Sequence, residues 1–122
     1  VTKVLYKDHL GRIHKAIQFY KTHETENVKF HNIGLDIDLI LDHKRFDAMR
    51  GSLEYLKQNG GVLIFLDTKI ISKEQAREYG VGAQIVKDLG IEHIKLLTSN
   101  KETEFVGLAG FGLNVVEKIM TE

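Results

Sequence analysis

The fold class is decided by residues 59–66, which have the sequence Asn-Gly-Gly-Val-Leu-Ile-Phe-Leu. Glycine tolerates the left-handed conformation that closes a helix, so Asn-Gly-Gly predicts a helix end. The apolar run that follows is typical of a strand covered on both faces. Upstream, apolar residues recur at intervals of three and four, which predicts one helix with a buried stripe. The stripe consists of Phe46, Met49, Leu53 and Leu56.

The alternation of helix and strand continues towards the C-terminus. Residues 72–75, Ser-Lys-Glu-Gln, have the spacing of a capping box and predict the start of a second helix, which ends at Gly90. Strands are predicted at residues 94–97 and 113–119, the second after a short helical stretch broken by glycines. This β-α-β-α-β order favours a parallel sheet. The second helix is expected to bury Ala76, Ala83, Val86 and Leu89.

The first part of the chain is predicted to be mainly β-structure. Residues 1–6 and 12–20 flank turn-forming residues and predict a hairpin. Polar residues 21–27 predict a loop, and residues 28–31 and 35–41 predict further strands. The sequence therefore predicts a mixed α/β (α+β) fold, with N-terminal β-hairpins followed by a βαβαβ sheet that carries packed helices. A single domain accounts for all 122 residues.

Charge, cysteine content and hydropathy exclude several classes of protein. The 17 basic and 17 acidic residues cancel, whereas a protein that binds nucleic acid usually carries a basic excess. No cysteine is present, which excludes disulfides, thiolate metal sites and a cysteine nucleophile. No apolar run approaches the roughly 20 residues of a membrane-spanning helix. Lys3, Lys7 and Asp8 argue against a signal peptide. We therefore expect a cytoplasmic protein that binds neither nucleic acid nor membrane.

A more specific pattern lies in three segments, residues 60–66, 77–100 and 112–118. The second segment contains Arg-Glu-Tyr-Gly-Val-Gly-Ala-Gln-Ile-Val, then Leu-Gly-Ile, then Lys-Leu-Leu-Thr-Ser-Asn. These segments resemble the GTP cyclohydrolase II family of riboflavin biosynthesis, whose pattern is D-x-R-x-Y-G-x-G-A-Q-I-L, then L-G-V, then R-L-L-T-N-N-P. Weaker similarity extends back to His31. The resemblance implies that the chain has the fold of this family.

The resemblance also implies a reaction and a set of site residues. The family hydrolyses GTP, opens the imidazole ring of guanine with loss of formate and releases pyrophosphate. Zinc held by three cysteines polarises the attacking water, and magnesium is also used. An arginine attacks the α-phosphate, an aspartate two residues earlier accepts a proton, and a Glu-Gly-Arg-Gly loop grips the triphosphate. Arg77 matches the arginine nucleophile, while Thr98 and His31 match substrate-binding positions.

Most of the other family site residues are replaced. Gly34 stands at the position of the first cysteine. Residues 45–48, or residues 43–45 in a shifted register, stand where the other two cysteines belong. Gln75 replaces the aspartate, and an amide does not accept a proton at neutral pH. The Glu-Gly-Arg-Gly loop is absent. Arg77, Thr98 and His31 are therefore interpreted as vestigial, and neither a metal site nor a cofactor is expected in this domain.

The family context suggests a partner. In many bacteria this domain follows a 3,4-dihydroxy-2-butanone 4-phosphate synthase domain in one fused polypeptide, and the missing start methionine suits an excised C-terminal half. The resemblance implies a parent protein whose remaining activity is that of the synthase, which acts on ribulose 5-phosphate with magnesium. We expect a catalytically degenerate domain with a structural or regulatory role, partnered by the synthase domain and assembled as a homodimer.

Two functional alternatives stay open. In the first, the domain hydrolyses GTP with non-standard metal ligands, since zinc accepts histidine and carboxylate. These ligands would be His9 and His14 across the hairpin, or His31 and His43 with Asp38, Asp42 or Asp47. In the second, the domain binds a nucleotide or a phosphosugar without turnover.

Two of the vestigial residues also have a plain structural interpretation. Arg77 can be a solvated helix residue that pairs with a neighbouring acid, because one arginine without its catalytic partners does little. Thr98 lies at the end of a predicted strand, where ligands often bind in open α/β sheets. It can equally be a turn residue together with Ser99 and Asn100.

Overall fold

A computed structural model describes residues 1–19, 25–67, 75–98 and 112–120, with only the backbone described for residues 75–79. It contains six strands, three α-helices and a short 3₁₀ turn, Ile33–Leu35, within these ranges. The strands are β1 (Thr2–Lys7), β2 (Ile13–Gln18), β3 (Thr25–Asn32), β4 (Val62–Leu66), β5 (His93–Thr98) and β6 (Asn114–Met120). The helices are α1 (Asp36–Leu41), α2 (His43–Asn59) and α3 (Gln75–Asp88).

The strands form one mixed sheet in the order β1-β2-β4-β3-β5-β6. Strand β3 pairs in parallel with both β4 and β5, and β5 pairs in parallel with β6. The parallel sheet predicted for the second half is therefore confirmed, with β3 as an additional member. The N-terminal hairpin extends this sheet, because β2 pairs antiparallel with both β1 and β4. The predicted mixed α/β fold is confirmed.

Helices cover both faces of the sheet, as the apolar run of β4 predicts. The larger core includes Val28, Ile64 and Leu96 from the central strands together with Ala83 and Val86 of α3. The smaller core lies on the other face. It contains the buried side chains Leu56 of α2, Leu63 of β4 and Leu97 of β5. Successive residues of a strand point to opposite faces, so β4 contributes to both cores.

Helix α3 lies very close to strand β3. A Cβ atom added to Gly82 would lie 2.6 Å from Cε1 of Phe30, a distance that real Cβ atoms do not adopt. Gly82 therefore allows the close approach of helix and sheet. The predicted burial of Ala83 and Val86 is confirmed, and Leu89 is partly buried against the same core.

Several predicted features lie outside the described residues. They include the capping box at residues 72–74, the side chains of Gln75 and Ala76, and the glycine-broken stretch between β5 and residue 112. The predicted helix ends are confirmed, because Gly60 has a φ of 81° after α2 and Gly90 has a φ of 82° after α3.

The strand predicted at residues 35–41 is wrong, because this segment forms the end of the 3₁₀ turn and helix α1. The side chain of Asn32 accepts a hydrogen bond from the backbone N–H of Gly34 at 2.9 Å and so caps the turn. Asp36 and Asp38 then occupy the first turn of α1, where negative charge favours the helix dipole. These local interactions outweigh the strand propensity of the apolar run.

Two further predictions need correction. Residues 25–27, expected in a loop, belong to β3, and the side-chain amide of Asn27 donates to the carbonyl of Gly60 at 3.0 Å. The predicted stripe of α2 is shifted, because Ala48, Ser52 and Leu56 are its buried residues and Phe46 is 51% exposed. Helix α2 packs against α1, and Phe46 is not covered by this contact.

None of the described helices combines the length and the apolar composition that a membrane crossing requires.

Candidate functional site

The carboxyl ends of β3, β4 and β5 lie at one edge of the sheet, where ligands bind in open α/β sheets. His31 in β3 pairs in register with Phe65 in β4. Asp67 follows directly after β4, and Thr98 is the last residue of β5. We refer to this region as the carboxyl edge. His31 and Thr98, two positions that the sequence analysis singled out, both lie near this edge on neighbouring strands. Their side chains leave the sheet on opposite faces, because His31 lies beside Phe65 on the side of the smaller core and Thr98 follows Leu96 of the larger core by two residues.

His31 is held in a fixed orientation. Its side chain is buried, and its Nε2 atom lies 2.6 Å from Oδ1 of Asp36, the first residue of α1. Its ring also meets the ring of Phe65 edge-on, with 5.8 Å between ring centroids and an interplanar angle of 88°. The Asp36 side chain is 60% exposed, so the pair lies at the surface of the carboxyl edge. The misassignment of α1 hid this partner from the sequence analysis.

The structure describes the side chain of Thr98 but not that of Arg77. Thr98 is buried with 8% of its surface exposed, at the end of β5. Arg77 is the third residue of α3, and its side chain lies outside the described part of the structure. The two expectations for their side chains, as nucleotide contacts or as structural residues, therefore stay predictions.

Lys29 is a charged residue of β3 that the sequence analysis missed. It lies two residues before His31, so the two side chains leave the strand on the same face. In register it pairs with Leu63, a buried member of the smaller core. Burial lowers the pKa of the Lys29 ammonium group. The described residues give it no ion-pair partner.

The positions that the resemblance assigns to zinc ligands do not fit a thiolate site. Gly34 has no side chain, and its N–H donates to Asn32. His43 and Arg45 lie in the first turn of α2, where Nε of Arg45 is 3.7 Å from a carboxylate oxygen of Asp42. A guanidinium group repels a cation. Within the described ranges, no three His, Asp or Glu side chains form a group that could hold a metal ion.

The hairpin between β1 and β2 contains a hydrogen-bond network that the sequence analysis did not predict. The carboxylate of Asp8 accepts from the backbone N–H groups of Leu10 and Arg12 at 2.9 and 3.0 Å. It also accepts from Nε of Arg12 and from Nε2 of His14, both at 2.8 Å. Burial alone would raise the pKa of Asp8, but these hydrogen bonds outweigh burial and hold it well below its ordinary value of 3.8.

His14 joins this hairpin to the carboxyl edge. Its Nδ1 accepts a hydrogen bond from the backbone N–H of Asp67 at 3.0 Å, so Nδ1 carries no proton. The proton of the neutral ring must then be on Nε2, which donates to Asp8. Both ring nitrogens are engaged and the ring is fully buried, so this arrangement does not favour the metal site proposed for His14 and His9.

The mixed α/β fold of the described residues is consistent with a GTP cyclohydrolase II-like fold. Residues 67–120 match the sequence profile of the GTP cyclohydrolase II family. This range includes α3, β5 and β6, and it begins just after the segment 60–66, which the sequence analysis had also assigned to the resemblance.

Relatives extend the similarity to the rest of the chain. A 3,4-dihydroxy-2-butanone 4-phosphate synthase of Sulfurospirillum multivorans is 44% identical over 112 residues, which are 92% of this chain and 32% of the relative. A protein of the same name from Wolinella succinogenes is 36% identical over 120 residues, 98% of this chain and 35% of the relative. Riboflavin biosynthesis protein RibBA of Bacillus cereus is 39% identical over 64 residues, 52% of this chain and 16% of the relative.

These comparisons relate the chain to proteins of riboflavin biosynthesis. The chain spans about a third of the length of the two synthases that it matches almost from end to end.

Proposed function

We propose that this chain is a GTP cyclohydrolase II-type domain that has lost turnover and acts as the structural or regulatory partner of a 3,4-dihydroxy-2-butanone 4-phosphate synthase domain. The absence of cysteine from all 122 residues carries the proposal, since the family's zinc site needs three thiolates. An active cyclohydrolase would therefore have to assemble a different metal site or do without metal activation of the attacking water.

The arrangement of the carboxyl edge supports the same conclusion. His31 is bound to Asp36 at 2.6 Å, and both ring nitrogens of His14 are hydrogen-bonded. Histidines that are already paired within the protein are poor starting points for a substitute metal site.

The partner domain is inferred from the relatives. These relatives are named as synthases, and the chain matches only about a third of their length. The remaining two thirds of each relative is long enough to hold a separate domain. A domain that keeps its fold while losing its reaction can be retained because it stabilises that neighbour.

The absence of turnover is tested by incubating the purified chain with GTP, Zn²⁺ and Mg²⁺ and measuring formate. We expect no formate above the protein-free background, while an active GTP cyclohydrolase II assayed in parallel releases it. Formate produced by the chain in repeated turnovers would refute the loss of activity.

The structural role is tested on the parent polypeptide, prepared with and without the region of residues 1–122. We expect the synthase part to unfold at a lower temperature when this region is removed. Adding the chain back as a separate protein should restore part of the loss. Equal melting temperatures, with no binding in the add-back experiment, would eliminate the structural role.

Binding without turnover is the second candidate, and Lys29 is the observation that favours it. Its ammonium group lies on the same face of β3 as His31 and has no ion-pair partner among the described residues. An anionic group such as a phosphate would compensate this charge.

Calorimetric titration with GTP and with ribulose 5-phosphate separates the two candidates. Heat of binding that disappears in Lys29→Met, whose side chain has a similar length, would establish a binding module. If the unmodified chain shows no heat of binding, the binding module is excluded and the structural role is the remaining candidate.

A further inference from the structure

One face of the hairpin formed by β1 and β2 is largely exposed. Val4, Tyr6 and Ala16 point from these strands towards the larger core, so the residues between them point the other way. The outward residues are Lys3, Leu5 and Lys7 of β1 and Ile13, Lys15 and Ile17 of β2. All of them except the half-buried Ile17 are exposed. We call these six side chains the hairpin face.

The hairpin face is basic as well as apolar. Each of its lysines stands opposite an aliphatic residue, in the pairs Lys3–Ile17, Leu5–Lys15 and Lys7–Ile13. The face contains no acidic residue, and none of its three lysines has an ion-pair partner among the described residues. The whole chain has a net charge of zero, so these positive charges are a local excess. Such a surface favours a partner that carries carboxylates.

Strand β1 also has an open backbone edge. Among the described strands it pairs only with β2. Beyond the end of β1, the N–H of Asp8 donates to the carbonyl of Arg12 at 3.0 Å, and these two residues stand opposite each other if the register is continued. Every second residue of an antiparallel strand bonds to the same neighbour, so the even-numbered residues of β1 bond to β2. The N–H and C=O groups of Lys3, Leu5 and Lys7 therefore point away from the sheet, as a template for a further strand.

The side chains along this edge disfavour an identical strand. Antiparallel pairing of two β1 strands with Leu5 against Leu5 would place Lys3 against Lys7, and like charges directly opposite each other are destabilising. A strand with acidic residues at these two positions and an apolar residue between them would form opposite-charge pairs and an aliphatic pair instead.

We propose that the edge of β1 binds an extended acidic segment of another protein as an additional antiparallel strand. The segment has an acidic residue at its first and fifth positions, opposite the two lysines of β1, and an apolar residue at the third, opposite Leu5. Backbone hydrogen bonds supply affinity, and these three side-chain pairs supply specificity. The proposal goes beyond the proposed function, because it involves neither the carboxyl edge nor the synthase domain.

Fluorescence anisotropy with a labelled peptide, Ser-Thr-Glu-Thr-Val-Thr-Glu-Thr-Ser, tests the charge pairing. We expect saturable binding to the purified chain at low ionic strength, and weaker binding as salt is added. The same peptide with lysine in place of both glutamates should not bind. The double variant Lys3→Glu/Lys7→Glu should bind the acidic peptide at least about tenfold more weakly and should bind the lysine peptide instead.

The matched control is the double variant Lys44→Glu/Lys57→Glu, which changes the net charge equally at two exposed lysines of α2. It should keep the affinity of the unmodified chain for the acidic peptide within about twofold, since charges away from the binding surface are screened. Circular dichroism checks that both double variants are folded.

Methylation of single peptide nitrogens tests the added strand itself. In an antiparallel strand the N–H of the peptide's valine bonds to Leu5, whereas the N–H of the next threonine points away from β1. N-methylation at the valine should weaken binding at least about tenfold more than N-methylation at that threonine, because only the first removes a hydrogen bond to the chain.

The proposal is overturned if the acidic peptide does not bind at low salt, or if the Lys44→Glu/Lys57→Glu control weakens binding as strongly as Lys3→Glu/Lys7→Glu. It is also overturned if the two methylated peptides bind equally well. Binding to vesicles of phosphatidylserine and phosphatidylcholine through the same lysines, without binding of the peptide, would overturn it in favour of a lipid surface.

Discussion

Asp8 illustrates how a single residue can determine the shape of a hairpin. Its carboxylate accepts four hydrogen bonds, two from the backbone of the turn and two from the side chains of Arg12 and His14. The residue types and their spacing are visible in the sequence. The contact of His14 with Asp67 joins residues 53 positions apart, and no local pattern could reveal it.

Replacement of Asp8 by asparagine should lower the melting temperature at pH 7 by several degrees. An amide keeps the shape but presents an NH₂ group to donors, so at least one of the four hydrogen bonds is lost and no negative charge remains. Thermal unfolding followed by circular dichroism measures the effect. Asp47→Asn is the control, because Asp47 is exposed and no described residue pairs with its side chain; an equal loss there would contradict the role of Asp8.

The stabilisation by Asp8 should depend on pH, and a comparison of the unmodified chain with Asp8→Asn tests this. The pKa of Asp8 is lower in the folded state, so its charge stabilises the fold at pH values above the ordinary value of 3.8. That stabilisation is lost as the pH falls below this value towards the folded pKa. The difference in melting temperature between the unmodified chain and Asp8→Asn should therefore be largest near neutrality and shrink below about pH 4. A constant difference between pH 7 and pH 3 would disprove the assignment.

Gly61 gives a second residue-level prediction. Its φ is 133°, and an added Cβ would lie 2.3 Å from the carbonyl oxygen of Asn27. That oxygen is backbone of a central strand and cannot move aside, so Gly61→Ala should cost about 3 kcal/mol or more. At Gly90 the φ is 82° but no atom lies within 4 Å of the added Cβ. Gly90→Ala should cost only about 1 kcal/mol, from the backbone conformation. Urea denaturation gives the free energy of unfolding of each variant. Equal losses in Gly61→Ala and Gly90→Ala would contradict the role of the close contact at Gly61.

At the level of elements, the sequence predicted β4, α3 and β5 well because their signals are local. Glycines end the two helices, and an apolar run at residues 62–66 indicates a buried strand. Residues 35–41 were misassigned because a short apolar run does not distinguish helix from strand. Whether residues 35–41 form a helix or a strand depends on the capping by Asn32 and on packing against α2. His31 was found as a site residue, but its partner Asp36 depends on the same helix and was missed.

Helix α2 offers a test of its corrected orientation. Leu56 is fully buried in the smaller core, so Leu56→Ala should cost about 2–5 kcal/mol. Phe46 is 51% exposed, and Phe46→Ala should change the stability of the monomer by no more than about 0.5 kcal/mol. Denaturation at low protein concentration keeps association out of the comparison. A large loss of stability in Phe46→Ala would instead support the buried stripe that the sequence predicts, with Phe46 in the core.

At the level of the whole molecule, the sheet is built around β3 and β4. Each of these strands has a neighbour on both sides, whereas β1 and β6 have one. The sequence could predict parallel pairing from the alternation of helix and strand. The insertion of β3 between β4 and β5 depends on long-range contacts, which no short segment specifies.

Rates of amide hydrogen exchange should reflect the position of each element in the sheet. Amides of β3 and β4 are paired on both edges and covered on both faces, so they should open only with global unfolding. Amides of α1, which has no buried residue, should exchange much faster than those of β3 and β4. Mass spectrometry of exchanged peptides gives the comparison. Similar protection of α1 and β4 would contradict the described packing.

The hairpin of β1 and β2 has a consequence for how the protein could be divided. It joins the sheet along one edge of β4 and through the His14 contact with Asp67, and it adds the buried side chain of Ala16 to the larger core. A cut in the polypeptide between residues 19 and 25 would produce two fragments with matching unpaired strand edges. Residues 1–19, supplied as a peptide, would then have a ready template on the larger fragment, which makes this chain a natural candidate for split-protein reassembly.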